Sequence, residues 1–193
     1  MKAKFIEPML LLRTAKLPVG KDWIYEIKWD GYRAIAFKTG GKVHLRSRND
    51  NDFALRYPGV TEALSGLPDD TVVDGEIVAL DESGRPSFNV LQNYGTAQAP
   101  VFYYVFDVLI LKGKDLRGET LAARRVALTK LVGKQKEQIR ESSVLDASLA
   151  DILASVKAKG LEGVVAKRLD SCYESGQRSG SWQKMRINRG RSL

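Results

Sequence analysis

The chain has few of the residues that several common kinds of site require. Its 193 residues include one cysteine, Cys172, and one histidine, His44. A single cysteine excludes an intrachain disulfide and fits a reducing compartment such as the cytoplasm. A lone histidine within a predicted strand gives no basis for histidine catalysis or for a zinc site. The sequence has no apolar run of membrane-spanning length and no signal peptide, so neither a membrane partner nor secretion is expected.

Positive charge is in excess, at a formal net charge of +8 at pH 7, and this favours an anionic partner. After residue 166 the basic residues are Lys167, Arg168, Arg178, Lys184, Arg186, Arg189 and Arg191, against the acidic residues Asp170 and Glu174. This concentration predicts that the C-terminal part of the chain binds phosphate groups. The length fits one large domain or two small ones, and no repeat or low-complexity linker divides it.

Alternating apolar residues in the first two-thirds of the chain predict antiparallel strands. Residues 32–38 and 43–47, joined by Gly40 and Gly41, predict a hairpin. Further strands are predicted at 71–80 and 101–111, and helices at 58–64, 87–94, 120–132 and 148–159. The elements alternate irregularly, without a repeated βαβ unit, which favours an α+β fold with antiparallel sheets.

The most informative segment is 26–33, Glu-Ile-Lys-Trp-Asp-Gly-Tyr-Arg. It places Lys28 at the end of an apolar alternating stretch and beside a turn, so its stem is buried and its amine faces a cleft. An amine becomes a nucleophile when desolvation or neighbouring cations depress its pKa. Taken alone, the segment is more typical of a solvated lysine in a hairpin turn.

The rest of the chain favours the nucleophile, because five more segments of one family follow in order, at 45–49, 72–77, 104–109, 162–167 and 182–186. Together they resemble motifs I, Ia, III, IIIa, IV and V of the covalent nucleotidyltransferases, which are ATP-dependent DNA ligases, RNA ligases and mRNA capping enzymes. The opening residues 5–10 and the phrase at 26–31 are most similar to the ligase domain of bacterial multifunctional end-joining ligases.

The resemblance implies a nucleotidyltransferase (ATP-grasp-like) fold over residues 1–193. That fold has two antiparallel β-sheets with flanking helices and a nucleotide cleft between them. Family members continue past motif V into a C-terminal OB-fold domain. The sequence therefore leads us to expect that this domain is absent, or that a partner protein supplies it.

The resemblance also assigns the catalytic residues. Lys28 matches the lysine that attacks the α-phosphate of ATP and becomes covalently bound to AMP. Lys167 and Lys184 match the two lysines that contact this phosphate, depress the pKa of Lys28 and neutralise developing charge. Asp30 matches the aspartate close to the reacting groups. Arg186 stands where the family usually has a second motif V lysine, which leaves open its role beyond contact with nucleic acid.

Nucleotide recognition is expected at six further positions. Glu26 and the backbone of Ile27 match the groups that read the amino edge of adenine, while Phe106 and Val164 match the residues on its two faces. Arg33 matches the arginine that contacts the ribose. Arg48 matches the motif Ia arginine that lies near the 5′-phosphate of a nick.

Two carboxylates match the family's metal-associated glutamates. Glu162 is the principal expected ligand for Mg²⁺ or Mn²⁺, and Glu76 is expected near both the metal and the ribose. Asp74 is expected to be structural, within a turn at Asp74-Gly75.

The leading hypothesis is an ATP-dependent DNA ligase domain that transfers AMP through Lys28 to the 5′-phosphate of a nick in double-stranded DNA. It would act in the cytoplasm, associated with the nucleoid if the source is bacterial. An RNA ligase or a capping-type guanylyltransferase would use the same lysine chemistry, and a non-catalytic DNA-binding remnant would keep the fold alone.

Overall fold

A computed structural model describes residues 1–95 and 99–188 of the chain. Arg189 and Arg191, part of the predicted basic end, lie outside the described residues. The described strands are β1 (Leu12–Arg13), β2 (Trp23–Lys28), β3 (Tyr32–Thr39), β4 (Lys42–Ser47), β5 (Thr71–Ala79), β6 (Val101–Leu111), β7 (Lys114–Asp115), β8 (Ile139–Glu141), β9 (Gly163–Arg168) and β10 (Trp182–Arg186). The described helices are α1 (Pro58–Leu64), α2 (Phe88–Gln92), α3 (Leu121–Val132) and α4 (Leu149–Ala158).

The strands form two sheets. The smaller sheet has the order β1-β10-β9-β2, and the larger has the order β4-β3-β5-β6-β7, with β8 paired to β6. Most pairings are antiparallel, as predicted, but the short edge strands β1 and β8 pair in parallel with β10 and β6. The α+β class is therefore confirmed, with two short parallel pairings added.

The larger sheet is buried on both faces. One face of β6 directs Tyr103 and Val105 into a core shared with α1 and α3, while Leu109 and Ile110 belong to a second core on the other face. The apolar run at 101–111 predicts this double burial, and the structure confirms it. Helix α3 is fixed to this sheet by a buried ion pair, with Arg124 Nε 2.8 Å from Asp107 Oδ1.

The second core lies between the two sheets and joins them. Trp182 of β10 is 1% exposed and packs in the same cluster as Ile35 of the larger sheet and Met9 of the N-terminal segment. Bulky side chains thus fill part of the space between the sheets, and Trp182 also borders the cleft described below.

Helix α4 covers the back of the smaller sheet. Its Ile152 and Val156 pack with Tyr25, Val164 and Ala166, the side chains that β2 and β9 direct away from the larger sheet. The helix begins at an N-cap, since Ser148 Oγ accepts a hydrogen bond from the backbone N–H of Asp151. The sequence expectation for Asp74 is wrong in one respect, because Asp74 lies within β5 rather than in a turn.

No helix in the two described ranges is long and apolar enough to cross a membrane.

Candidate active site

A cleft of about 460 Å³ lies between the sheets. Nine of the predicted site residues line it: Glu26, Ile27, Lys28, Arg33, Arg48, Glu76, Phe106, Lys167 and Lys184. They come from β2, β9 and β10 on one side and from β3, β5, β6 and the loop after β4 on the other. The fold thus gathers residues from distant parts of the chain around one cavity. The most distant pair, Glu26 and Lys184, is separated by 158 positions.

Lys28 occupies the last position of β2, as predicted, and pairs across the sheet with Gly163 of β9. The following turn passes very close to β5, since a Cβ on Gly31 would lie 2.0 Å from the carbonyl oxygen of Ile77. Only glycine permits this approach. The turn therefore requires Gly31 in order to bring Lys28 against the larger sheet.

Glu162 is the direct partner of Lys28. Lys28 Nζ lies 2.6 Å from Glu162 Oε1, and the same oxygen accepts a hydrogen bond from Arg186 Nη2 at 2.9 Å. The Glu162 side chain is 8% exposed, whereas that of Arg186 is 52% exposed. Arg186 thus holds the carboxylate from the solvent side while Lys28 holds it from the cleft.

Asp30 lies beside this group rather than in the wall of the cleft. Burial, followed by the charge of Glu162, raises the pKa of the Asp30 carboxyl, while Lys28 and Arg186 act in the opposite direction. Its catalytic role stays a prediction.

Three cations converge at the end of the cleft near Lys28. Burial, and then the charges of Lys28, Arg48 and Arg178, lower the pKa of Lys184. The Lys184 and Arg48 side chains make no hydrogen bond or ion pair to another described residue, and Arg178 donates only to the Leu11 carbonyl, at 3.3 Å. Cations held together without acidic partners form a surface suited to anions, and we therefore call this part the phosphate end of the cleft.

Glu76 lines the cleft within reach of the charges of Lys28 and Arg33. Burial raises the pKa of its carboxyl to about 7, although Lys28 and Arg33 act to lower it. Among the described residues no side chain makes a hydrogen bond or ion pair with it. An unpartnered carboxylate with a strongly raised pKa in a cleft is a mark of a functional group.

The opposite end of the cleft is built around Glu26, which is 2% exposed. Its Oε2 lies 2.9 Å from Lys167 Nζ and 3.3 Å from Arg125 Nη1. The ammonium group of Lys167 also lies 4.1 Å from the ring centroid of Phe106 and 4.3 Å from that of Trp182. Burial lowers the pKa of Lys167, and Glu26 acts in the opposite direction.

The expectation that Lys167 lies beside Lys28 is wrong for this structure, and the strand register explains why. Lys167 pairs with Ile24 and Gly163 pairs with Lys28, so Lys167 stands four positions along β9 from the level of Lys28. At roughly 3.3 Å per residue this offset is about 13 Å, which places Lys167 at the Glu26 end. Of the two predicted helper lysines, Lys184 is the one near Lys28.

The expectation for Val164 is also wrong, by one residue. Val164 is fully buried against α4, on the face of β9 that is turned away from the cleft. Since successive side chains of a strand point to opposite faces, its neighbour Val165 lines the cleft instead. Phe106 does line the cleft, and its role as the opposing platform for a base stays a prediction.

Arg33 is held in the wall of the cleft by Asp74. Its Nη2 lies 2.6 Å from Asp74 Oδ2, and its Nε donates to Asp74 Oδ1 at 3.1 Å. The Tyr173 hydroxyl donates to the same carboxylate at 2.6 Å. This buried arrangement confirms that Asp74 is structural, and it leaves the predicted contact of Arg33 with ribose as a prediction.

The chemistry of the carboxylates suits a divalent cation that is bound mainly by phosphate. In the described part of the chain, no group of three or more His, Cys, Asp and Glu residues could hold a metal ion alone. Mg²⁺ usually keeps several waters and takes only one or two carboxylates together with phosphate oxygens. Glu76 and Glu162 fit this pattern, since the charge of Glu162 contributes to the raised pKa of the Glu76 carboxyl.

Sequence reasoning placed Arg178 only in the general basic region after residue 166 and did not single out Arg125. Arg178 reaches the cleft from the turn between β9 and β10, and its place between Gly176 and Gly180 is the signal that could have indicated a phosphate contact. Arg125 reaches Glu26 from α3. No local pattern indicates this contact, because Arg125 and Glu26 are 99 positions apart.

Comparison with known proteins shows the family of the chain. The sequence profile of the ATP dependent DNA ligase domain matches residues 3–186. The Multifunctional non-homologous end joining protein LigD of Pseudomonas aeruginosa is 40% identical over 188 residues, which are 95% of this chain and 22% of that protein. DNA ligase C1 of Mycolicibacterium smegmatis is 35% identical over 189 residues, which are 90% of this chain and 54% of that protein.

A solved structure described as mycobacterial DNA ligase D complexed with ATP and MES superposes with a TM-score of 0.82 at 36% identity. The match covers 94% of this chain and 60% of that one. The superposition confirms the predicted fold of two sheets with flanking helices. The chain spans about a fifth of the length of the LigD relatives that it matches.

Proposed function

This chain belongs to the family of ATP dependent DNA ligase domains, and from that membership we propose that it forms a covalent lysine–AMP intermediate and passes the AMP to a DNA nick. The observation that carries the proposal is the position of Lys28. Its amine lines the cleft, paired with Glu162 and close to the unpartnered cations Lys184 and Arg48. A triphosphate bound to those cations would present its α-phosphate to Lys28.

The first step is a nucleophilic substitution at phosphorus. The Lys28 ammonium group separates from Glu162 and loses one proton to solvent, and the lone pair of the resulting amine forms a bond to the α-phosphorus. The nitrogen loses a second proton to solvent as the N–P bond forms. The bond from that phosphorus to the bridging oxygen breaks, so pyrophosphate leaves and a phosphoramidate remains. Arg186 keeps its hydrogen bond to Glu162 and thereby compensates the carboxylate charge when Lys28 departs.

A divalent cation, Mg²⁺ or Mn²⁺, would neutralise the phosphate oxygens when bound, and Glu76 and Glu162 are the carboxylates that would hold it. The chain's own cations would also stabilise the negative charge of the phosphate oxygens. Lys184 lies in a partly buried position, where electrostatic stabilisation is stronger than in water.

The other end of the cleft would receive the adenine. Phe106 and Val165 line the two sides of this space, and Glu26 with the backbone of Ile27 lies along its edge. A carboxylate accepts hydrogen bonds but does not donate them when ionised, so it suits the exocyclic amine of adenine.

The second step would use nicked double-stranded DNA. Arg48 and Arg178 lie at the phosphate end of the cleft without acidic partners, where a 5′-phosphate would replace the departed pyrophosphate. The relatives at 40% identity carry the names of end-joining proteins, and we extend to this chain the expectation of a nick left by that kind of repair.

The proposal is tested by incubating the chain with α-labelled ATP and Mg²⁺, followed by denaturing electrophoresis and a chase with nicked duplex. Label should first appear on the protein and then move to the 5′ end of the nick. Lys28→Ala should lose both signals, whereas Lys42→Ala, an exposed lysine of the β3–β4 hairpin, should keep them. Labelling by GTP in preference to ATP would favour a capping-type guanylyltransferase, and transfer only to RNA nicks would favour an RNA ligase.

A further inference from the structure

We propose that Arg125 is a specificity-determining residue, which fixes Glu26 so that its free oxygen selects a base with an exocyclic amine over a base with a carbonyl group there. This inference rests on the proposed function, since it concerns the same nucleotide cleft. Arg125 itself lies behind the cleft wall, on α3, and acts through Glu26.

The two oxygens of Glu26 are used differently. Both cations, Lys167 at 2.9 Å and Arg125 at 3.3 Å, are paired with Oε2. No described residue donates a hydrogen bond to Oε1, although Glu26 lines the cleft. The cations therefore occupy one oxygen and leave the other for a ligand.

Arg125 is itself held firmly. Its Nη2 donates to the Ser142 carbonyl at 2.7 Å and to Glu141 Oε1 at 3.2 Å, and its Nη1 also lies 3.4 Å from the Phe106 carbonyl. The side chain is 10% exposed. These acceptors come from different elements, so the planar guanidinium ties Glu26 of the smaller sheet to Phe106 of the larger one. Its rigid fork of donors fixes an orientation that the flexible stem and single charge of Lys167 do not.

The orientation matters because an ionised carboxylate only accepts hydrogen bonds. The amine of adenine would donate to Oε1, whereas the carbonyl oxygen of guanine at the same place would be repelled by it. A site built around one hydrogen bond rejects the analogue that lacks it, provided that the acceptor cannot turn away. Arg125 keeps the Glu26 carboxylate from turning away.

The test is the ratio of the dissociation constants of GTP and ATP, measured by calorimetry without divalent cation. We expect the wild-type chain to favour ATP and Arg125→Lys to reduce the ratio by roughly 10- to 100-fold, the value of one hydrogen bond to a charged group. Arg124→Lys is the matched control. Arg124 is the adjacent residue of α3, also buried and paired with a carboxylate, but its partner Asp107 does not line the cleft. Its variant should be less stable and yet keep the wild-type ratio.

Glu141→Gln provides a second test in case Arg125→Lys fails to fold. Glu141 is 24% exposed, so the change weakens one anchor of Arg125 at little cost in stability, and the ratio should fall in the same direction by a smaller factor. A wild-type ratio near one, or an unchanged ratio in both variants, overturns the inference. The ratio of dissociation constants does not depend on adduct formation at Lys28. A missing adduct would therefore contradict the proposed function without changing this ratio.

Discussion

Glu76 gives the protein a pH dependence that can be worked out from its surroundings. Burial raises the pKa of this carboxyl to about 7, against an ordinary value near 4.5. Because the folded pKa is above the unfolded one, the folded state binds the proton more tightly. The stabilisation is fully present below about pH 4.5 and is lost as the pH rises through about 7. At about 1.4 kcal/mol per pKa unit the loss is on the order of 3 kcal/mol, and less where the cleft admits water.

The perturbation is Glu76→Gln, which removes the titrating group and keeps the shape. The free energy of unfolding should be measured by urea denaturation at pH 5 and at pH 8 for the wild type and the variant. The free energy of unfolding of the variant minus that of the wild type should be larger at pH 8 than at pH 5, because only the wild type loses the stabilisation over this range. Glu62→Gln, a change at an exposed carboxylate of α1, should show no such increase.

The same titration should appear in the reaction. If the ionised Glu76 carboxylate helps to hold the cation, the rate of formation of the lysine–AMP adduct should rise about tenfold per unit from pH 5.5 to 6.5 and level off above about pH 7.5. Glu76→Gln should be slower and should lack this step. A difference in stability between variant and wild type that does not change with pH would refute the reasoning from burial.

Three further predictions concern other parts of the site. Phe106→Leu should weaken binding of a non-transferable ATP analogue about tenfold in calorimetry, since ring stacking contributes about 1–1.5 kcal/mol beyond burial; a large loss of thermal stability with unchanged affinity would instead make Phe106 a core residue. Asp74→Asn should lower the free energy of unfolding by about 3–5 kcal/mol in urea denaturation, because it leaves Arg33 buried and unpaired; a loss below about 1 kcal/mol would contradict this. Arg178→Gln should reduce the slope of log affinity against log salt for a nicked duplex by about 0.9 in fluorescence anisotropy, and an unchanged slope would exclude a phosphate contact.

Much of this site could be predicted from the sequence because the motif residues lie on strands with a strict alternation of faces. Glu26 and Lys28 face the cleft together, as the period of two requires, and the loop glycine Gly31 indicates the close approach that positions them. The bounds of helix α4 were equally predictable, since Ser148 suits the N-cap and Gly160 suits the C-terminal end of the helix. Such features depend only on neighbouring residues.

The errors arose where the answer depends on how strands pair. The motif containing Val164 indicates a residue against the base, but only the register of β9 shows that Val165 faces the cleft. In the same way, the motif pattern joins Lys167 to Lys28, while the pairing of β2 and β9 sets them at opposite ends of the site. Arg125 was missed because its contact with Glu26 exists only after α3 packs behind the cleft.

The central claim is that Lys28 is the nucleophile, and mass spectrometry tests it most directly. After incubation with ATP and Mg²⁺, the intact mass should increase by one AMP, and peptide mapping should place the added group on Lys28. Lys28→Ala should carry no added mass, while the fold stays cooperative. An AMP group found on another lysine, or an adduct that persists in Lys28→Ala, would contradict the account.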